Sequence, residues 1–204
     1  MPLYEVHHIC PLSINQQDEF AEAITTIHSN KFTTPKLFVN IVFHDESSNP
    51  DATPYYVGGK RRPINRICAS VRTGPSRTQK DWDSLSAEIL GAWNRTVRGG
   101  PDGAGAPLHP FKRGQDRPDV ELRVVFVTGS ILGGIEAGFR IPAAGEDVTW
   151  LQKNWEGFVK KAQAGDEDFK ELVREVEERG LMRPGDGKTE QQRLEELLGW
   201  GDSA

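Results

Sequence analysis

The sequence predicts an α+β fold: tandem β-α-β units followed by C-terminal helices. Three observations predict it. The order strand, amphipathic helix, strand occurs twice, at a spacing of roughly 60–80 residues, too long for a solenoid repeat and suited to a domain of two similar halves. The closing strand of each unit is a nearly continuous apolar run. Beyond Gly165 the chain becomes charged and thinly apolar. The expected organisation is a main domain over 1–150, with halves at about 2–44 and 55–150, and a helical extension over 151–204.

Residues 2–10 alternate loosely and contain β-formers, so they read as a strand. Ser13 with Gln16 three positions later is a capping box that starts a helix. Phe20, Ile24 and Ile27 then recur at i, i+4 and i+7, which predicts one buried helical face from about 14 to 31. After "TTP" breaks the helix, "KLFVNIVFH" has the length and apolarity of a strand buried on both faces of a sheet. Residues 45–54 are a polar loop. "YYVGG" and "INRICASVRT" read as strands on either side of "KRRP". Trp82, Leu85, Ile89 and Trp93 share one face of a second helix that opens near Arg77, and "ELRVVFVTG" is a second buried strand.

Residues 99–119, rich in Gly and Pro and without an apolar period, read as a long loop. "WLQKNWEGFVKKAQ", "DEDFKELVREVEERG" and "TEQQRLEELLGWG" have helical character. Leu172, Val176, Leu194, Leu197 and Leu198 are positioned to dock on the body or on a neighbouring subunit.

The 204 residues carry a formal charge of −5, which gives no general attraction to nucleic acid or an anionic membrane. No apolar run approaches the ~20 residues that span a bilayer. The two cysteines, Cys10 and Cys68, form no CxxC or disulfide framework. With no secretion signal at the start, the expected location is cytoplasmic. The histidines, His7, His8, His28, His44 and His109, show neither HxH nor HxxxH spacing, so no metal site is expected. "TGSILGG" lacks both standard phosphate-binding glycine patterns and reads as a tight chain reversal.

Four other features could carry chemistry. Pro2 follows the initiator methionine. Trimming of Met1 would expose a secondary amine able to carry a proton near neutral pH; otherwise Pro2 simply starts an edge strand. His28 lies near the end of the first helix, as a packing or capping residue or as a functional one. Arg72 ends a strand and Arg77 precedes a helix, an arrangement that can hold one carboxylate by paired charge-assisted hydrogen bonds or can remain two surface cations. Glu136 sits among small and apolar residues, where an enclosed carboxylate would have a raised pKa and could act as a base.

In order, "PLYEV", "AITTIHSN", "LFVNIVF", "YYVGG", "RTGPSR" and "IEAGFRIP" resemble segments of the tautomerase superfamily, and in particular the cis-3-chloroacrylic acid dehalogenase group and its fungal members. The resemblance covers about residues 2–150. It implies that the tandem β-α-β units form one mixed sheet with helices on one face, with catalytic Pro2 and Glu136, substrate binding by His28, Arg72 and Arg77, no cofactor, and assembly as a homotrimer. It further implies a small enol or unsaturated carboxylic acid as substrate, tautomerised or hydrated, with weak cis-3-haloacrylate dehalogenation. A β-keto acid decarboxylase and a non-catalytic trimeric binding protein are the alternatives on the same scaffold. One departure bears on the reaction. The tyrosine that the dehalogenases carry eleven residues before the glutamate is here Val125. Losing a hydroxyl that orients water should hurt hydration more than tautomerisation.

Overall fold

The computed structural model describes residues 1–49, 53–98 and 119–182. In chain order these form β1 (Leu3–His8), α1 (Ile14–Phe32), β2 (Asn40–Asp45), β3 (Tyr56–Val57), β4 (Lys60–Arg61), β5 (Asn65–Ser70), α2 (Gln79–Thr96), β6 (Leu122–Thr128), β7 (Ile135–Glu136), β8 (Phe139–Arg140), α3 (Asp147–Gln163) and α4 (Glu167–Arg179). Most of the 99–119 loop, part of the 45–54 loop and the helix expected around 189–201 lie outside the described residues.

Four strands make one mixed sheet in the order β2-β1-β5-β6. β1 pairs with β2 and β5 with β6 in parallel, while β1 and β5 are antiparallel. Each parallel pair is one β-α-β unit, crossed over by α1 or α2 because parallel neighbours cannot be joined by a hairpin. Both helices begin on capping boxes: Ser13 accepts from the Gln16 amide and Thr78 from the Asp81 amide, with each side chain at the third position returning to the cap. Along β1, Tyr4, Val6 and His8 are buried and Leu3, Glu5 and His7 are not, the period of two that a strand imposes. Tyr4, Val6, Ile67 and Ala69 pack beneath Phe20, Ile24, Leu85, Ile89 and Trp93.

The opposite face of the sheet is partly exposed among the described residues. Val42 on β2 and Phe126 on β6 are partly exposed there, so the expectation that these two strands are buried is not met. Their apolar character belongs to a face that the described residues leave partly open. The second strand also starts later than expected. Lys36–Phe38 form a 3-10 turn after Pro35, because Phe38 leaves the sheet to join a second core.

That second core is built by α3 and α4. Phe38, Trp150, Leu151, Phe158, Phe169, Leu172 and Val176 bury together with Met1. Ring pairs hold it, including Phe139 on Phe158 at 4.6 Å and Phe38 on Trp150 at 5.1 Å. Leu172 and Val176 therefore dock on the body of the same chain. Polar ties reinforce the docking: Arg179 donates to Ser29 Oγ at 2.6 Å, and Glu175 accepts the Lys36 amide at 3.0 Å.

Phe158 lies at the centre of these ring contacts and is fully buried. Phe158→Ala should cost about 3–5 kcal/mol in chemical denaturation. It should also expose the segment 147–182 to proteolysis before the sheet domain.

Candidate active site

The site forms where the start of β1, the end of α1, the segment after β5 and the start of α3 meet. Pro2 sits at the head of β1, and its carbonyl accepts the Asn40 amide at 3.1 Å. The Met1 side chain is buried in the α3–α4 core, which draws the chain terminus inward. Met1 is 2% exposed. Burial pushes its amine down to about 4; Arg72 and Arg77 act in the same direction, while Asp147 and Glu136 oppose. The chain start thus lies within electrostatic reach of four of the charged groups that surround it.

His28 occupies the inner face of α1 and is buried. The Tyr4 hydroxyl lies 2.8 Å from its Nδ1. Burial pushes the Tyr4 pKa up, so the hydroxyl keeps its proton. Burial first, then the terminal amine, Arg77 and Arg72, holds His28 well below the ordinary histidine range. A neutral ring that accepts the Tyr4 hydroxyl at Nδ1 carries its proton on Nε2, where it can donate to a ligand.

Arg72 follows β5 and is 4% exposed. Its Nη1 donates to the carbonyls of Pro142 and Ala143 at 2.9 and 3.0 Å, and its Nη2 to Asp147 Oδ1 at 2.6 Å. Arg77 precedes α2. Its Nη1 donates to the Arg72 carbonyl at 2.8 Å, its Nη2 lies 3.7 Å from Asp147 Oδ2, and its guanidinium stands over the Phe32 ring at 4.4 Å. Burial, then Arg72, lowers its pKa to about 10. It remains charged at neutral pH.

Asp147 is the residue that sequence reading missed. It is the first residue of α3 and 3% exposed, and it also accepts a hydrogen bond from Thr34 Oγ1 at 3.3 Å. Thr34 is brought there by a sharp turn at Thr33, held at φ 56° and ψ 27°. That is an uncommon conformation for a β-branched residue. Among the described residues, three buried atoms of the cluster have no hydrogen-bond partner: Arg72 Nε, Arg77 Nη2 and Asp147 Oδ2. The last two face each other at 3.7 Å as an ion pair, and unpaired buried polar groups are costly.

Glu136 lies on the β7–β8 hairpin, where Ala137 and Gly138 turn the chain at positive φ. Asn40 Nδ2 donates to its Oε1 at 2.7 Å. The apolar enclosure expected for Glu136 is absent: the residue is half-exposed and its nearest partner is an amide. Val125, at the position of the relatives' tyrosine, packs against the sheet core and carries no hydroxyl.

A family model described as "Putative oxalocrotonate tautomerase enzyme" matches residues 1–106. Among solved structures, the chain is similar to N1, a member of the cis-3-chloroacrylic acid dehalogenase family. Identity is 18% with a TM-score of 0.53, covering 83% of this chain and 99% of that one. It also matches "a probable enzyme from the thermophilic fungus Aspergillus fumigatus" at 20% identity and a TM-score of 0.46, covering 76% of this chain and 94% of that one. No curated protein matches the sequence.

Two measurements test the electrostatics. Asp147→Asn leaves two buried guanidiniums without their carboxylate and should cost about 3–5 kcal/mol in denaturant unfolding. The second concerns pH. The amine and His28 both have folded pKa values below their unfolded ones, so the unfolded chain binds more protons. For the chain that retains Met1, stability therefore rises with pH across the window from about 4 to 8 set by its amine. Unfolding free energy should fall on acidification through that window. His28→Gln should make the fall shallower between about pH 5 and 7, around the ordinary histidine value.

Proposed function

The chain belongs to the tautomerase superfamily, and we propose that it is a proline-dependent enzyme that moves a proton on a small enol or 2-keto carboxylic acid. The observation that carries this reading is the convergence on the chain terminus. The same amine feels Arg72, Arg77, Asp147 and Glu136, and is felt in turn by His28.

In the proposed reaction Met1 is first removed. This frees the Pro2 nitrogen as a secondary amine and vacates the volume of one buried methionine side chain beside it. The substrate carboxylate engages the open donors of Arg72 and Arg77, with His28 Nε2–H as the neutral third donor. The two neighbouring cations favour the unprotonated form of the freed Pro2 nitrogen, and the substrate carboxylate, by offsetting them, lets it take up a proton as a base. The proline nitrogen accepts the enol hydroxyl proton and returns it to the adjacent carbon, so the enol becomes the keto acid. Negative charge that builds on the enolate oxygen is met by fixed cations in a site shielded from water. Glu136, oriented by Asn40, is the base for a slower addition of water to unsaturated acids. With valine at position 125, tautomerisation is the main activity and hydration or dehalogenation a minor one.

We take the working form to be a homotrimer. What supports this is the partly exposed sheet face, together with two sheet edges, β2 and β6, that have no strand partner among the described residues.

Intact mass should show loss of Met1; retention would leave Pro2 as an amide and rule out this chemistry. On protein of verified terminus, phenylenolpyruvate should be ketonised faster than a cis-3-haloacrylate or a propynoate is hydrated, as followed by NMR. Pro2→Ala should lower kcat by roughly 10²–10⁴-fold, the usual size of a general base effect. Arg72→Ala and Arg77→Ala should each lower kcat/KM by about 10²–10³-fold, as for loss of one oxyanion donor. CO₂ release from a β-keto acid would move the assignment to a decarboxylase, and saturable binding without turnover to a binding protein.

A further inference from the structure

A second cluster of chemically capable side chains lies on the opposite face of the sheet from α1 and α2. Period two along β1 puts Glu5 and His7 on that face, and the parallel register of β1 with β2 sets His44 directly beside His7. One donor atom from each of Glu5, His7 and His44 lies within 4.8 Å of the other two. His44 Nε2 is 3.5 Å from Glu5 Oε1. Zinc bonds of ~2.0–2.1 Å in a tetrahedral shell put donor atoms about 3.4 Å apart, so this pair is already at chelating separation. His44 Nε2 is shielded from solvent and has no hydrogen-bond partner.

The surroundings of His7 are those of a supported ligand. Glu46 Oε1 lies 2.9 Å from its Nδ1, which leaves Nε2 as the nitrogen available to an ion. A carboxylate behind the far nitrogen of a ligating histidine orients the ring and raises its basicity. Arg66 lies against this group: its Nη1 and Nη2 donate to the two oxygens of Glu46 at 3.0 and 2.8 Å, its Nη2 also lies 2.9 Å from His7 Nδ1, and its guanidinium stands over the Tyr55 ring at 4.9 Å, so Nδ1 is the occupied nitrogen of His7. The His7 and His44 rings stack at 4.3 Å with 14° between planes. One ring must therefore turn for both to meet a single ion in plane. His44, with its side chain 40% exposed, is free to do so, whereas His7 is held by Glu46.

We propose that Glu5, His7 and His44 form a binding site for a divalent transition-metal ion of the zinc class, with Glu46 as the orienting partner of His7. Two imidazoles and one carboxylate select such an ion over Mg²⁺ or Ca²⁺, which take all-oxygen shells. The site lies on the sheet face away from α1 and α2, the face on which trimer contacts are proposed above, and does not depend on the reaction.

The test is isothermal titration of full-length, chelator-treated protein with ZnCl₂, checked by elemental analysis after dialysis. The expected result is one zinc per chain that excess Mg²⁺ does not displace. His44→Ala and Glu5→Gln, both at half-exposed positions and verified as folded by circular dichroism, should each weaken binding at least about tenfold, the lower end for loss of a supporting group. Absence of saturable binding would overturn the proposal. So would binding that survives both substitutions unchanged, since the ion would then sit elsewhere on the chain.

Discussion

The carboxylate of Asp147 holds the molecule's functional end together. It is the buried anion between two buried cations. Arg72 and Arg77 share the β5–α2 connection, and Asp147 opens α3. Thr34, just beyond α1, adds a third segment through its hydroxyl. Two guanidiniums cannot be buried side by side without a counter-charge, because the loss of hydration costs several kcal/mol per ion. The position of α3 against the sheet domain is thus tied to the charge state of the arginines. The aromatic core that α3 and α4 build with Phe38 and Met1 supplies the apolar energy that keeps Asp147 in place. Site and C-terminal helices therefore form one structural unit.

Local rules read much of this from the sequence. Both capping boxes, the helix stripes through Ile24 and Ile89, and the two β-α-β crossovers follow from residue type and period, and they appear as expected. Where reading failed, the cause was not local. "KLFVNIVFH" is uniformly apolar, and nothing in its composition says that Phe38 serves a different core from Phe43, which packs with the sheet. Strands of the same apolar character are compatible with burial on two faces or with one face left open, and only the arrangement of the whole sheet distinguishes them. Asp147 was invisible for a related reason. An aspartate before an amphipathic helix reads as an ordinary capping residue, and its partners lie 75 and 70 positions earlier in the chain.

The site residues were legible to a different degree. His28, Arg72 and Arg77 stand out in sequence because each occupies an element end, where side chains can converge. The structure gives these three a common electrostatic neighbourhood with the chain terminus. Glu136 was read as an enclosed carboxylate because its sequence neighbours are small and apolar. On a two-residue hairpin such neighbours point outward, and Ile135 is itself largely exposed. Low polarity in sequence is not low polarity in space when the element is too short to bury either face. The same blindness to cross-strand geometry hid the cluster of Glu5, His7 and His44. Linear spacing records partners along one strand but not the residue 37 positions away that the parallel register sets alongside.

The charge balance of the arginine cluster bears on how the proposed chemistry would run. Arg72 and Arg77 contribute two positive charges, and Asp147 and Glu136 two negative ones. With the terminal amine and His28 held neutral by burial, these groups sum to zero. A monoanionic substrate entering this set brings uncompensated negative charge into a region of low polarity. The most direct relief is a proton on the amine, whose low pKa rests on burial and on cations that the substrate would partly neutralise. Binding therefore raises the basicity of the nitrogen at the moment a substrate proton becomes available. An amine that is a poor proton acceptor in the empty site becomes a competent one only with a carboxylate in place. On this argument Asp147 has a second effect: by cancelling one arginine in advance, it keeps the empty site neutral and makes the arriving substrate's charge decisive.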